Sequence, residues 1–367
     1  MKRFAGTAVL CFVLCVLQQA KTEGLADDAK PTFTTFEAPG AGTAEYQGTI
    51  AYSINTAGTI TGYSVDSGGV HHGFVRATDG AITTIDAPGA GTASNEGTVA
   101  FSINTAGAIT GHYVDSSKVY HGYVRSADGD FTTFDAPGAG TGTYQGTLAV
   151  SINSKGATAG DYDDASSVYH GFVRAADGTL TTFDAPGAGT ATYQGTNATS
   201  INTAGTIVGY SVGASGTEGF VRTAKGTFTT FAAPGAASTV PQSINTAGVI
   251  AGDYDDASNV VHGFVRAANG AITAFQAPGK GTLNANEGTT AESINTSGAI
   301  AGQYYSAKAV YLGFDRSAGG KISTFEAPGA GKGANQGTAA LGINTAGTIV
   351  GWYLDASSVY HAYLRTP

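Results

Sequence analysis

The chain has 367 residues, of which 55 are Gly, only 12% are charged, and the formal net charge is −9. An acidic chain without a basic run is a poor partner for nucleic acid or for an anionic lipid surface. Thr, Ser, Val, Ile, Phe and Tyr fill the space between the glycines, which predicts short strands and tight turns and leaves little room for helices.

Residues 1–20 read as a secretory signal. Lys2 and Arg3 form a positive start, Ala8 to Leu17 an apolar core, and Ala20 a small residue at a cleavage site, with Leu25-Ala26 a second option. The apolar run is too short to cross a bilayer comfortably, so no membrane span is expected once it is removed. Cys11 and Cys15 both lie inside it, so the mature chain would carry no disulfide and depend on packing and closure. The expected location is extracellular or periplasmic. Residues 21–32 read as a linker.

From residue 33 to 367 a unit of about 49 residues recurs seven times, which reads as one domain. Its clearest anchor is an Ile-Asn step followed by Gly, at Asn55, Asn104, Asn153, Asn202, Asn245, Asn295 and Asn344, with the Asn202–Asn245 interval shortened. Regularly placed β-branched and aromatic residues in every copy supply a core, which excludes low-complexity disorder. The second copy shows four strands: Ile82 to Ile85, Thr98 to Ile103, Ala108 to Val114 and Val119 to Arg125. Asn104-Thr105-Ala106-Gly107 suits a tight hairpin, since Asn can bond its own backbone and Gly accepts positive φ.

The two ends are out of phase. Phe33-Thr34-Thr35-Phe36 is a lone outer-strand motif, and the chain stops at the third strand, His361 to Arg365. Pairing them completes the last set and hides an edge. The expected fold is therefore all-β, a seven-bladed β-propeller closed by its N-terminal strand. A parallel β-helix of two coils per unit is the alternative.

In such a propeller the outer-to-inner connection and the loop between second and third strands share a face. That face carries Tyr46-Gln47, Asn95-Glu96, Tyr144-Gln145, Tyr193-Gln194, Asn286-Glu287 and Asn335-Gln336, together with Asp66, Asp115, Asp163-Asp164, Asp255-Asp256 and Asp355. It varies between copies more than the Asn-bearing face, which makes it the better place for binding.

Three elements recur in register: Ile103-Asn104, then Gly107-Ala108-Ile109-Thr110-Gly111, then His121-Gly122-Tyr123, with His170-Gly171-Phe172, His262-Gly263-Phe264 and His361-Ala362-Tyr363 repeating the third. Over Phe33 to Arg365 this resembles the HAF family of exported bacterial repeat proteins. The resemblance implies an extracellular repeat protein of poorly defined activity. Glu218 and Leu312 depart from it by replacing His.

Residues present in most copies read as scaffold. His72, His121, His170, His262 and His361 fall one per unit, too dispersed for a metal site, and suit capping a strand or bonding the adjacent blade. Arg76, Arg125, Arg174, Arg222, Arg266, Arg316 and Arg365 suit bonds to carboxylates or carbonyls between blades. The Asp-rich turns lack an EF-hand spacing and suit turn closure, so no metal or other cofactor is assigned. No nucleophile elbow, zinc-protease helix or phosphate loop occurs, so no catalytic residue is assigned.

Candidate ligand-binding residues are those where the copies disagree. After the second-strand Gly stand Tyr63, His112, Asp161, Tyr210, Asp253, Gln303 and Trp352. Tyr63, His112, Tyr210, Gln303 and Trp352, with Tyr46, Tyr144 and Tyr193 and the inner-strand acid Glu292, form the predicted site. Aromatic faces beside amides and carboxylates suit sugars, and also protein surfaces. The expectation is a secreted, non-enzymatic binding module for polysaccharide or a surface protein. The alternatives are a lyase or hydrolase acting on polysaccharide through Glu292, or a structural envelope or matrix protein.

Overall fold

A computed structural model describes residues 30–279 and 288–367. The segment read as a signal, both cysteines, most of the stretch read as a linker, and Asn286-Glu287 lie outside the described residues. The described part from Pro31 onward forms one compact unit containing 28 strands and no helix. No helix there is long and apolar enough to cross a membrane.

The strands pair in antiparallel quartets, which rules out parallel β-helix coils. In the first quartet the inner strand is Gly48–Ile54, the second Ile60–Val65, the third His71–Arg76 and the outer Ile82–Ile85. The strands predicted for the second sequence copy recur as Ile82–Ile85, which is the outer strand of the first quartet, and as Gly97–Ile103, Ile109–Val114 and Tyr120–Arg125 of the second, each within about a residue of expectation. The shortened copy loses its outer-to-inner loop: outer strand Phe228–Phe231 is followed almost at once by the nine-residue inner strand Ala236–Ile244.

The strand assembly closes on itself. Thr32–Phe36 pairs antiparallel with the last strand, Tyr360–Thr366, in the register Thr32↔Thr366 to Phe36↔Ala362. Strand Gly48–Ile54 lies against Gly337–Ile343, completing a circle of inner strands. Six of the seven seams are made where a Gly opens the inner strand. At Gly97, φ is +108° and a Cβ would sit 2.1 Å from the His71 carbonyl oxygen, so only Gly permits that approach.

The anchoring Asn residues form a second circle. Each Oδ1 accepts two backbone N–H bonds in its own turn, as Asn153 does from Lys155 and Ala157 at 3.0 Å. Each Nδ2 donates to the Asn carbonyl of the next quartet, from Asn55→Asn104 (3.2 Å) through Asn295→Asn344 (2.9 Å). Asn344 donates back to Asn55 at 3.4 Å, the longest of the set, at the non-covalent closure.

Between quartets lies the core. Phe74, Tyr123, Phe172, Phe220, Phe264, Phe314 and Tyr363 are fully buried, one per quartet. Phe74 packs with Val350 and Ala362 of the last quartet, so the closing seam buries the same apolar layer as the covalent ones. Burying such a ring contributes about 2–3 kcal/mol.

Two expected scaffold roles need correction. The His residues bond within their own quartet, because their rings point along its edge: His121 reaches Asp135 at 2.9 Å and Asp115 at 3.4 Å. His361 takes its outer acid, Glu37, from the residue that follows the N-terminal strand (2.5 Å). The guanidinium groups mostly lie over aromatic faces: Arg76, Arg174, Arg222, Arg266, Arg316 and Arg365 stack on a Phe from the preceding quartet's outer strand, at 4.6–5.1 Å. Arg125 faces Ile85 there instead of Phe, and lies over its own Phe131. Only Arg365 reaches a carboxylate among the described residues, Asp315 at 3.1 Å.

Candidate functional site

Each inner strand carries a bulge, and the bulge residue is left out of the ladder. Register shifts bracket Tyr52, Phe101, Val150, Thr199, Gln242, Glu292 and Leu341. Bulges re-aim a side chain, and here all seven line a cavity of about 420 Å³ enclosed by the inner strands. Beyond it, toward the Asn circle, a second cavity of about 240 Å³ is walled by the repeated Ile-Asn-Thr or Ile-Asn-Ser steps. The first is varied, the second uniform.

The residues after the second-strand Gly pair across to the inner strand: Tyr63 with Ile50, His112 with Val99, Asp161 with Leu148, Tyr210 with Asn197, Asp253 with Val240, Gln303 with Thr290 and Trp352 with Ala339. These positions and the bulges together form the mouth of the channel, and their chemistry is not spread evenly.

One side is aromatic. Rings follow one another from His71 to Tyr63 (5.2 Å), Tyr52 (5.9 Å), Phe101 (5.0 Å), His112 (5.3 Å), Tyr120 (5.1 Å) and Tyr144 (6.1 Å). These seven rings line a pocket of about 470 Å³. His112 is only 7% exposed and its Nδ1 has no partner. Burial, and then the neighbouring His71, pushes its pKa down to about 3, so the ring is neutral. Trp352 extends this side, at 5.2 Å from Tyr360 and 6.0 Å from Tyr311.

The other side is acidic. Glu292 touches the channel but is surrounded by protein, and desolvation followed by the charge of Asp253 pushes it up to about 8. Asp253 rises to about 7 through desolvation, partly offset by Gln242, whose Nε2 donates to it at 3.2 Å. Gln303 donates to Glu292 at 3.3 Å. Asp161 is held well above the usual carboxylate range by desolvation and by Asp163, and Tyr210 is pushed up to about 12 by burial and then Asp161.

The doubled acids prove to have separate jobs. Asp164 and Asp256 close their turns, each accepting two backbone N–H bonds, as the sequence reading expected of turn Asp residues. Asp163 and Asp255 belong to the second strand and share a face with Asp161 and Asp253 by alternation.

Tyr46, Tyr144 and Tyr193 sit at the seams outside the inner-strand cavity, 55%, 44% and 68% exposed, and Tyr144 also closes the outer end of the aromatic pocket. Each donates its backbone N–H to the second-to-third-strand turn of the preceding quartet, at Ser358, Lys118 and Ser167. All three have φ near +60°, as do Asn95 and Asn335 at the equivalent seams. Asn tolerates this region, whereas for other residues it costs roughly 1–2 kcal/mol. Tyr46 lies 6.4 Å from Tyr360, and Lys118 sits over Tyr144.

The structure thus brings Tyr63, His112 and Tyr144 into one pocket and Tyr210 with Glu292 into one channel. Gln303 joins Glu292, while Tyr46, Tyr193 and Trp352 mark other parts of the rim. Sequence reading passed over His71, Tyr120 and Tyr360, although their fixed position at the start of the third strand was a usable signal. It also left Tyr52 and Phe101 out of the predicted site.

No family model matches the chain, and no curated protein matches it in sequence. Solved structures resemble it in fold. A prolyl endopeptidase aligns at TM-score 0.54 and 10% identity, covering 90% of this chain and 50% of its own. The BP39L lectin of Burkholderia pseudomallei aligns at TM-score 0.50 and 9% identity, covering 87% and 98%. TolB of Acinetobacter baumannii aligns at TM-score 0.47 and 11% identity, covering 85% and 64%. The chain therefore spans half the length of the endopeptidase and under two thirds of TolB. Identities this low speak to the fold, a closed all-β ring with propeller-like neighbours.

Proposed function

We propose that the chain is an exported seven-bladed β-propeller of the HAF kind that binds polysaccharide without transforming it. The observation that carries this reading is the set of exposed tyrosines at Tyr46, Tyr144 and Tyr193. They occupy a backbone conformation that suits Asn, which two other seams use, and a conformational cost of that kind is kept where the side chain has a task. Flat, half-polar rings beside a mouth of rings, amides and carboxylates offer the stacking and hydrogen bonding that sugars need. BP39L being a lectin is an analogy of scaffold only, and it is these side chains that support sugar binding.

Replacing all three tyrosines by Asn should leave the melting temperature equal or higher while retention on polysaccharide columns falls. Retention unchanged in that variant would remove the proposal. Binding to a surface protein instead, with no glycan retained by the folded wild type, would replace it.

A second reading, hydrolysis or elimination at the channel, has one observation in its favour: Glu292 is protonated near neutral pH and so could serve as a general acid. Activity on any polysaccharide that survives Glu292→Gln would exclude it.

A further inference from the structure

We propose that the channel mouth recognises a polysaccharide carrying free amino groups, its aromatic side taking the sugar faces and its acidic side the ammonium groups. This rests on the polysaccharide-binding reading and names the ligand class.

Position comes first. The cavity of about 420 Å³ is lined by Tyr52 and Phe101 from one side and by Asp161 and Glu292 from the other, so one ligand touches both chemistries. Charge comes second. Among the described residues, neither Lys nor Arg pairs with Asp161, Asp163, Asp253 or Glu292; Asp253 and Glu292 receive only the amide bonds of Gln242 and Gln303. Asp163 is 8% exposed and its Oδ1 has no partner at all. Carboxylates enclosed without a counter-charge are costly to ionise, and a cation brought by the ligand offsets that cost.

The form of the cation follows from the spacing. No three His, Cys, Asp or Glu among the described residues gather closely enough to hold a metal ion. The acids are instead distributed over the third, fifth and sixth quartets, which suits a polymer presenting one ammonium per ring.

The test uses three β-1,4-linked hexamers that differ only at carbon 2: glucosamine, N-acetylglucosamine and glucose. Calorimetry at neutral pH and low salt should give the glucosamine hexamer at least about tenfold tighter binding than the other two, with the preference shrinking as salt is added. Asp161→Asn with Asp163→Asn, and separately Glu292→Gln, should erase the preference for the glucosamine hexamer over the glucose hexamer measured in the same variant, thermal melts confirming that each variant is folded. Equal binding of all three hexamers by the wild type would overturn the ammonium assignment while leaving polysaccharide binding in place. So would a preference that persists in both variants. Binding of none of them by folded protein would sink both.

Discussion

The aromatic and acidic sides of the mouth are built on the same scaffold and differ only in what that scaffold displays. Around Tyr52 and Phe101 the bulge positions carry rings; around Val150, Thr199, Gln242 and Glu292 they carry small, amide or acidic groups. Yet the Asn circle, the buried Phe or Tyr and the Gly-opened seams run through both sides with little change. Repetition makes the ring, and departure from repetition makes the site. The tolerance is physical: a bulge residue pairs with nothing, so its identity is free to vary without breaking a ladder.

That equivalence of scaffold is the first thing to try to break. Asn55→Ala beneath the aromatic side and Asn153→Ala beneath the acidic side each remove three hydrogen bonds, so each should cost about 3 kcal/mol at about 1 kcal/mol per bond. Chemical denaturation that gave clearly unequal losses would show that the two sides differ in framework as well.

Binding should separate them instead. Phe101→Ala should weaken oligosaccharide binding by about 2 kcal/mol, roughly 30-fold, as for a central aromatic contact, whereas Val150→Ala, at the equivalent bulge of the next quartet, should change it little. Similar losses in calorimetry would dissolve the distinction.

The acidic side should also carry the pH dependence. Glu292 and Asp253 have folded-state values of about 8 and 7, above their ordinary 4.5 and 3.8. Between those limits the folded ring holds protons that the unfolded chain has released. Their contribution to stability is full below the ordinary values and is lost as pH rises through 7 to 8. Melting temperature should therefore fall from mildly acidic to mildly alkaline pH, and Glu292→Gln should flatten that fall; Phe101→Ala should not.

The smallest effect belongs to the seams. Asn95→Tyr should destabilise by about 1 kcal/mol, because it places a bulkier residue at φ +64°. A neutral result would remove the conformational argument for Tyr46, Tyr144 and Tyr193.

Much of the framework was legible in the chain. The Asn-x-x-Gly step announced both a hairpin and an inner strand, since Asn can bond its own backbone and Gly accepts positive φ, and the lone Phe33–Phe36 strand announced closure. The side-chain roles were harder. That Asn Nδ2 would reach the next quartet, or that Arg would choose a neighbour's Phe over a carboxylate, depends on which groups face each other across a seam. The site was half legible: positions that vary could be picked out, but not that Tyr63 and His112 share a pocket with His71, Tyr52 and Phe101, or that Asp163 and Asp164 part company at a strand end.

By itself the sequence determined the strands, their turns and the number of repeats, because these follow from the spacing of Asn, Gly and β-branched or aromatic residues along the chain. Only the tertiary structure decided where the variable side chains meet. Closing the circle sets residues about 49 positions apart beside one another, and a bulge in each inner strand turns one of them into the channel. Whether those neighbours are rings or carboxylates is a property of the ring's circumference, which no single repeat contains.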